Sequence, residues 1–363
     1  MAAHGRERIR VAVLMGGPSA ERDVSLASGG AVSRALDPAK FDVLRLEIAK
    51  DGRWLPAGSV DADPAASSSL VPMEASGALA TGREGDRPFD VALIALHGAF
   101  GEDGTVQGLL EAAGIPYTGS GVLASALAMD KPRSKTVVAS AGVRIARGVA
   151  VSATDWRTDA ANLVVRLARN PGFPAFVKPC GGGSSLGAGP AADPKELRSR
   201  LEEVFTRHED RALVEERLVG REVTCAVLGN RGQALHSLPV VEIVPKTSDF
   251  FDYRAKYEPG ASEEICPARI SREEAARVEE AAMAAHRALG CDGMSRSDFI
   301  LVAGEPVYLE TNTIPGMTAT SLCPKAARAA GVEFPRLLEH LVAMALDRAA
   351  HRAGHARSAA KSR

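Results

Sequence analysis

The chain has 363 residues, enough for two or three domains, and 45% of them are hydrophobic, enough for several buried cores. Its 44 basic and 45 acidic residues almost cancel, which argues against general binding to nucleic acid or to an anionic membrane. Small molecules or another copy of the chain are therefore the expected partners. The five cysteines form no C-x-x-C pair, so we expect reduced thiols. No apolar stretch is long enough for a membrane span, and no signal peptide precedes the first predicted strand. We therefore expect a cytoplasmic protein.

The first third of the chain is predicted to alternate strands and helices. Residues 9–15 form a short apolar run, and the glycine-rich turn that follows leads into a helix from about Ser19. A second buried strand is predicted over residues 90–96, ending at His97, and a helix over residues 105–113. This alternation predicts a parallel sheet covered by helices, and ligands collect at the carboxyl ends of such strands.

A helix over residues 131–142 opens a second predicted region. Residues 56–87, which precede it, are rich in Ala, Ser, Gly and Asp and are predicted to form a surface excursion of low functional content. A long helix is predicted over residues 271–290, because it begins with a capping box and carries an apolar stripe. The basic tail from residue 349 lacks apolar anchors and is predicted to be disordered. Strands are predicted over residues 175–178, 212–215, 223–228, 238–243, 298–302 and 307–310.

A glycine-rich segment, KPCGGGSSLG over residues 178–187, follows a predicted strand. Glycines let backbone N–H groups approach phosphate oxygens, and Lys178 would supply positive charge. The segment is not a Walker A motif, because no Gly-Lys-Ser/Thr closes it. Taken alone, it fits a phosphate-binding loop and a flexible turn equally well.

Acidic residues at strand ends are the next candidates. Asp298 begins one predicted strand, Glu310 ends the next, and Asn312 lies just beyond. Two carboxylates and an amide oxygen would suit Mg²⁺, which completes its shell with nucleotide phosphates. Ordinary strand-end charges are the alternative. The acidic segment over residues 215–222 similarly fits either a nucleotide-binding segment or a solvated turn.

Together these pieces resemble the ATP-grasp enzymes and, within them, the family of D-alanine–D-alanine ligases. The resemblance runs from about Val11 to Val342, nearly the whole chain. Several long blocks in the family's order are more specific than any single pattern. The blocks are GGPSAERDVS (16–25), ALHG (95–98), GEDG (101–104), YTGSG (117–121), MDK (129–131) and ETNTIPGMT (310–318).

The resemblance implies an α/β and α+β protein with an N-terminal, Rossmann-like parallel-sheet domain followed by a two-lobed ATP-grasp domain. The implied domains are residues 1–128, 129–217 and 218–348, followed by the tail over 349–363. The implied reaction is ATP-dependent ligation of two D-alanine molecules to D-alanyl-D-alanine through a D-alanyl phosphate, with release of ADP and phosphate. It would serve bacterial peptidoglycan synthesis. A homodimer and two Mg²⁺ or Mn²⁺ ions are also implied.

The same resemblance implies an ATP site. Lys131 and Lys178 would contact the phosphates, and Lys256 would reach the γ-phosphate from a mobile loop over residues 249–260. Glu215 would hold the adenine together with neighbouring backbone groups. The implied ATP-binding residues are Lys131, Lys178, Ser184, Ser185, Glu215, Glu216, Leu218, Glu222 (on the ribose) and Lys256, and the implied metal ligands are Asp298, Glu310 and Asn312.

The resemblance also implies two amino-acid sites and an oxyanion site. Glu21 would bind the ammonium of the first D-alanine, near His97, and would form a triad with Ser184 and Tyr257. The residue types leave structural alternatives open: Glu21 as a helix cap, Tyr257 as a packing residue, and His97 as a buried histidine with internal partners. Arg296 and the Gly316 N–H would face the oxyanion, and Ser321 and Leu322 would hold the second carboxylate. For Arg296 the structural alternative is an ion pair.

Three departures from the family pattern and three rival functions remain. Many relatives carry a charged residue where this loop has Gly181 and Gly182, some have Tyr in place of Phe251, and His is frequent in place of Thr320. A D-alanine–D-lactate or D-alanine–D-serine ligase is the nearest rival, although the Lys256-Tyr257 pair fits the dipeptide enzyme better. Another ATP-grasp carboxylate–amine ligase and a nucleotide-sensing binding protein are more distant ones.

Overall fold

The structure, a computed structural model, describes side chains as far as residue 352. The described residues are 8–56, 89–183, 187–246 and 260–361. Within this part of the chain the strands form three sheets. The predicted excursion over residues 56–87 and the loop over 249–260 lie almost wholly outside the described residues.

The N-terminal sheet is parallel except at one edge. It contains β1 (Ile9–Gly16), β2 (Phe41–Ile48), β3 (Trp54–Pro56) and β4 (Val91–Ile94), in the order β3-β2-β1-β4. β1 pairs in parallel with β2 and β4, and its apolar run is buried on both faces, as expected for an interior strand of a parallel sheet. The helices of this region are α1 (Arg22–Ala35), α2 (Thr105–Ala112) and α3 (Val122–Met129).

The central region is a small antiparallel sheet with two helices. It follows α4 (Lys131–Ser140) and contains β5 (Gly148–Ser152), α5 (Ala153–Arg169), β6 (Ala175–Pro179), β7 (Gly189–Ala191), α6 (Pro194–Arg207) and β8 (Arg211–Glu216). The sheet order is β5-β8-β6-β7, and apolar residues of α5 and α6 form one core with it. Helix α6 begins at Pro194 because Asp193 caps its first N–H groups.

The C-terminal region is built on a larger antiparallel sheet. Its elements are β9 (Arg221–Leu228), β10 (His236–Ser237), β11 (Val241–Pro245), β12 (Ser262–Ile265), α7 (Arg272–Leu289), β13 (Met294–Val302), β14 (Glu305–Asn312), α8 (Leu322–Ala329) and α9 (Phe334–Lys361). The main sheet order is β12-β11-β9-β13-β14. The capping box of α7 is present, with Ser271 and Glu274 each bonded to the other's backbone N–H.

The predicted fold class is confirmed, because a mainly parallel N-terminal sheet precedes two antiparallel sheets. The domain boundaries stay a prediction. Apolar residues of α3 and α4 belong to the core of the C-terminal sheet, and one core joins α1 and β1 to α8 and α9. No helix in the described part of the chain is both long and apolar enough to cross a membrane.

The C-terminal tail differs from the prediction, because α9 continues to Lys361 instead of ending near residue 349. Arg348 donates a hydrogen bond to the Tyr117 carbonyl at 2.7 Å and lies over the Tyr117 ring. Arg352 pairs with Glu111 at 2.8 Å. The segment also contains many alanines, which favour a helix. Polar contacts with the N-terminal region therefore replace the apolar anchors that the sequence lacks.

His286, near the end of α7, is buried and should make the stability of the protein sensitive to acid. Its Nδ1 lies 2.7 Å from Ser295 Oγ and its Nε2 lies 3.2 Å from the Gly229 carbonyl oxygen. Burial lowers the pKa of His286 to about 4 from a usual 6.5, outweighing the opposing effect of the Gly229 carbonyl. Between these values the unfolded chain binds a proton that the folded chain does not.

We expect this stability to be fully present above pH 6.5 and to be lost as the pH falls towards 4, by about 3 kcal/mol. The measurement is urea unfolding of the wild type and of His286→Gln at several pH values. Because glutamine does not titrate, the variant should lose less stability over this range than the wild type. Equal losses in both proteins would contradict the assignment.

Candidate functional site

A cleft of about 420 Å³ lies between the central and C-terminal sheets. Its walls are formed by β6 and the end of β8 on one side, and by β9, β11, β13 and β14 on the other. The volume suits a nucleotide-sized ligand. Of the predicted ATP-binding residues in the described part of the chain, all line the cleft: Lys131, Lys178, Glu215, Glu216, Leu218 and Glu222.

Lys131 connects the glycine-rich segment to the C-terminal sheet. It is the first residue of α4, and its Nζ donates a hydrogen bond to the Gly182 carbonyl at 2.8 Å. The same Nζ lies 3.4 Å from Glu310 Oε2. A buried ammonium between a glycine-rich loop and a carboxylate is well placed to neutralise phosphate charge.

Lys178 and Glu215 form a buried ion pair, 2.7 Å between Nζ and Oε2. A second ammonium, that of Lys135 on α4, lies 2.7 Å from Oε1 of the same carboxylate. Burial raises the pKa of Glu215, but Lys178 and Lys135 together outweigh it, so the net direction is downward. Glu215 is therefore held as an anion.

The segment after Glu215 follows the cleft wall. The Glu216 N–H donates to the Arg147 carbonyl at 2.9 Å, and its carboxylate pairs with the Arg147 guanidinium at 2.8 Å. The Glu216 amide hydrogen is thus bonded to Arg147, just before β5, and is not available to a ligand. Leu218 and Glu222 line the cleft beyond it, Glu222 from β9.

The three predicted metal ligands converge on the antiparallel pair β13 and β14. Asp298 and Glu310 are direct register partners, and Asn312 Nδ2 lies 3.2 Å from Asp298 Oδ2. In the described part of the chain no three His, Cys, Asp or Glu side chains form a metal cluster. The set here is two carboxylates and an amide, which fits Mg²⁺ because that ion takes few protein oxygens and completes its shell with phosphate oxygens.

Arg296 lies two residues before Asp298 on β13 and forms a bidentate ion pair with it. Its Nε and Nη2 donate to the two oxygens of Asp298 at 2.9 and 2.8 Å. Burial alone would lower the pKa of Arg296, but the Asp298 carboxylate outweighs burial and raises it. The ion pair that was the structural alternative for Arg296 is therefore present. An arginine oriented in this way also has donors remaining for a second anion.

Glu21 lies where the N-terminal sheet meets the glycine-rich segment. A Cβ built on Gly98 would lie 2.5 Å from Glu21 Oε2, and one built on Gly183 would lie 2.7 Å from it. Both glycine backbones therefore lie close to the Glu21 carboxylate, and Gly98 also has a φ of +70°, which favours glycine. Glu21 occupies the N-cap position of α1, but its side chain makes no capping hydrogen bond. The capping alternative is therefore not what the geometry shows.

His97 has internal partners on both ring nitrogens. Its Nδ1 lies 3.0 Å from the Ile314 carbonyl oxygen, so Nδ1 carries the proton, and its Nε2 lies 3.0 Å from Ser28 Oγ. Burial lowers the pKa of His97 more than the nearby Glu21 raises it, so the ring is neutral. Both ring nitrogens of His97 therefore have partners within the protein, and its place against the first substrate stays a prediction. Through its hydrogen bond to Ile314, His97 holds the segment that leads to Gly316.

The segment over residues 314–322 carries the other predicted substrate contacts. Ile314 is also held from its N–H, which donates to Glu102 Oε1 at 3.2 Å. Ser321 Oγ accepts a hydrogen bond from the Thr318 N–H at 3.1 Å, which closes a tight turn beside Gly316. Leu322 begins α8 and is buried. Gly316 and Ser321 are thus neighbours, as the two predicted anion contacts require.

Four predicted site residues lie outside the described residues: Ser184, Ser185, Lys256 and Tyr257. Two residues to which sequence analysis gave no role contact residues of the site. Lys135 is four residues after Lys131, so both lysines share one helix face, and that spacing was the available signal. Glu102 belongs to the quoted GEDG block. Burial and then the nearby Glu21 raise the pKa of Glu102 to about 8.

Family models match nearly the whole chain. The model described as "D-ala D-ala ligase N-terminus" matches residues 10–120, and the one described as "D-ala D-ala ligase C-terminus" matches residues 137–343. Together they span every strand that lines the cleft, and Lys131 lies between the two matched ranges.

Individual proteins give the same result. The D-alanine–D-alanine ligase of Syntrophobacter fumaroxidans is 44% identical over 94% of this chain and 99% of its own length. A solved D-Ala:D-Ser ligase from Enterococcus faecalis has a TM-score of 0.79 at 34% identity, covering 93% of this chain and all of that one. The D-alanine–D-alanine ligase of Bacillus anthracis complexed with ATP has a TM-score of 0.73 at 31% identity, covering 95% and 99%. The predicted family is confirmed: the chain belongs to the D-alanine–D-alanine ligases, a family of ATP-dependent ligases.

Proposed function

We propose that this chain uses ATP to join two D-alanine molecules into D-alanyl-D-alanine, a precursor for bacterial peptidoglycan. One observation carries the proposal. A cleft with two buried lysines on one wall and an oxygen-rich strand pair on the other leads towards a carboxylate at Glu21. Family membership supports the same activity.

ATP would lie along the cleft with its base at the end of β8. An ionised Glu215 can only accept hydrogen bonds, which suits the exocyclic amine of adenine. Leu218 and the carbonyl of Glu216 would frame the base, and Glu222 would accept the ribose hydroxyls. Lys131 and Lys178 would then face the phosphates, with Ser184, Ser185 and Lys256 completing the contacts.

Asp298, Glu310 and Asn312 would hold two Mg²⁺ or Mn²⁺ ions. When bound, such ions neutralise the charge of the phosphate oxygens and hold the triphosphate in line for transfer. Arg296 keeps both oxygens of Asp298 in a fixed orientation. This chain's own residues therefore preorganise the ligand set before any nucleotide arrives.

The reaction needs two displacements. A carboxylate oxygen of the first D-alanine attacks the γ-phosphorus, the bond to ADP breaks, and an acyl phosphate forms. The free amine of the second D-alanine then attacks the acyl carbon, phosphate leaves, and the nitrogen loses a proton. Negative charge builds on the acyl oxygen in the second step. The donors remaining on Arg296 and the N–H of Gly316 are suited to that charge.

Each D-alanine would have its own anchor. Glu21 would bind the ammonium of the first, from a position between the Gly98 and Gly183 backbones. Ser321 and the backbone of Leu322 would bind the carboxylate of the second. His97 and Glu102 would act through the Ile314 peptide, which they hold from both sides. This arrangement would fix the distance between the two substrates.

Water must be kept from the acyl phosphate, so the site has to close during turnover. A triad of Glu21, Ser184 and Tyr257 would close it, with the loop over residues 249–260 as the cover. The assembly is proposed to be a cytoplasmic homodimer that acts on ATP and D-alanine. We propose no nucleic-acid or membrane partner, because the net charge is only −1.

Phosphate release with different amino acids tests the function directly. With ATP and Mg²⁺, D-alanine should give rapid release of phosphate, L-alanine almost none, and D-serine or D-lactate little unless D-alanine is also present. Product analysis by mass spectrometry should identify D-alanyl-D-alanine as the main dipeptide.

A mixed D-alanyl-D-serine product in excess would show instead the activity named for the similar Enterococcus faecalis protein. An ester with D-lactate at neutral pH would identify a depsipeptide ligase. ATP binding without phosphate release would identify a nucleotide sensor. The product therefore identifies the second substrate, and this identification does not depend on which residues bind ATP.

A further inference from the structure

Lys135 lies behind the adenine end of the cleft rather than in it. Lys178 and Glu215 both line the cleft, whereas Lys135 does not. Lys135 is buried, its Nζ donates to the Tyr308 carbonyl at 3.0 Å, and it lies 2.7 Å from Glu215 Oε1. The helix, the C-terminal sheet and the central sheet therefore meet at one ammonium group.

The two oxygens of Glu215 have different surroundings. Oε2 is held by Lys178, from the cleft side. Oε1 is buried and lies 2.7 Å from the Lys135 ammonium. A buried carboxylate that loses a counterion without gaining another partner incurs a large energetic penalty.

Nucleotide binding puts two demands on Lys178. Here its ammonium pairs with Glu215, but the proposed function also requires it at the phosphates. When Lys178 turns to the phosphates, the cleft-side oxygen of Glu215 is released to accept the adenine amine. The buried anion then needs a counterion that stays in place, and Lys135 has no route to the phosphates because it lies outside the cleft.

We propose that Lys135 is a positioning residue that keeps Glu215 ionised and aimed at the base while Lys178 is shared with the nucleotide phosphates. The proposal rests on the proposed function, since it assumes that Glu215 receives adenine. It makes Lys135 a determinant of base specificity. An ionised Glu215 accepts from adenine and repels the carbonyl oxygen of hypoxanthine, whereas a protonated Glu215 can donate to that oxygen.

Lys135→Met tests this, because methionine has a similar length and no charge. We expect the KM for ATP to rise at least about tenfold, with a much smaller change in kcat. The ratio of kcat/KM for ATP to that for ITP should fall at least about fivefold, because Glu215 becomes protonated. A purely structural role would weaken both nucleotides by the same factor, and that outcome would overturn the proposal.

Two controls keep the test decisive. Lys40→Met removes another ion-paired lysine, at 2.7 Å from Glu339 and outside the cleft, and should leave the ATP:ITP ratio unchanged. If Lys135→Met folds poorly, the substitution is repeated in a Glu215→Gln background, where no buried anion needs a counterion. There it should change the ratio by less than about twofold. A larger change would overturn the proposal.

The wild type separates the two levels of inference. If it releases no phosphate with D-alanine, or if Glu215→Gln leaves its preference for ATP over ITP unchanged, the proposed function or its adenine site is wrong. If the wild type behaves as proposed and only the Lys135→Met result fails, the fault lies with Lys135.

Discussion

Replacing Arg296 with alanine is expected to lower kcat by about 1,000-fold while the affinity for ATP changes by less than about tenfold. The Arg296 guanidinium is fixed by both oxygens of Asp298, and Asp298 lines the cleft. Its loss removes a donor to the developing oxyanion and also leaves Asp298 without its bidentate partner. The measurements are steady-state phosphate release and ATP binding by calorimetry.

Loss of folding has to be separated from loss of chemistry, because breaking a buried ion pair destabilises a protein by about 3–5 kcal/mol. Arg296→Lys keeps the charge but not the planar fork, so it should fold better than Arg296→Ala and remain slow. Arg277→Ala is the matched control, because Arg277 is half-exposed and pairs with Glu305, which lies at the far end of the β13–β14 pair. The Arg277→Ala variant should keep a normal kcat. Normal kcat in folded Arg296→Ala would refute the oxyanion role.

Local sequence patterns were sufficient for much of the fold. The apolar run of β1 and the capping box of α7 each depend on neighbours within a few residues, so they were predicted correctly. β11 was misplaced, because the predicted strand began at Leu238 and the observed one begins at Val241. Pro239 lies between them and has no N–H to give to a ladder, so it interrupts the pairing with β9, which β10 makes before it and β11 resumes after it.

Contacts between distant parts of the chain could not be read from the sequence. His97 finds its partners at Ser28 and Ile314, which lie 69 and 217 positions away. No periodicity or motif predicts whether a histidine contacts substrate or is buried with internal partners, because both depend on tertiary packing. The same applies to Lys135: its spacing from Lys131 indicates a shared helix face but not the carboxylate opposite it.

The sequence also indicated only part of the predicted metal site. The two carboxylates were visible in the sequence, but Asp298 was wrongly placed at the start of its strand, because β13 begins at Met294. The register of β13 against β14 makes Asp298 and Glu310 direct partners. The bidentate ion pair between Arg296 and Asp298 was only one of two alternatives that the sequence offered for Arg296. Since side chains two residues apart on a strand point to the same face, the i, i+2 spacing of this pair was the usable signal.

Replacing Glu310 with glutamine should have the second-largest effect, lowering kcat/KM for ATP by about 100-fold or more. Glu310 faces Asp298 across the strand pair, and its Oε2 lies 3.4 Å from the Lys131 ammonium. The neutral amide keeps the shape of the side chain but removes one of the two charges that would attract divalent ions. The concentration of Mn²⁺ that gives half-maximal activity should therefore rise, and it is measured by titration at saturating ATP.

The Mn²⁺ titration distinguishes a metal ligand from a partner of Lys131. If Glu310 acted only by orienting that lysine, Glu310→Gln would raise the KM for ATP without moving the Mn²⁺ midpoint, and the ligand assignment would be wrong. Glu305→Gln is the matched control, since Glu305 begins the same strand and is exposed. It removes an equal charge far from the cleft, so neither the midpoint nor kcat should change. A shift of equal size in both variants would mean that general surface charge, rather than coordination by Glu310, sets the metal requirement.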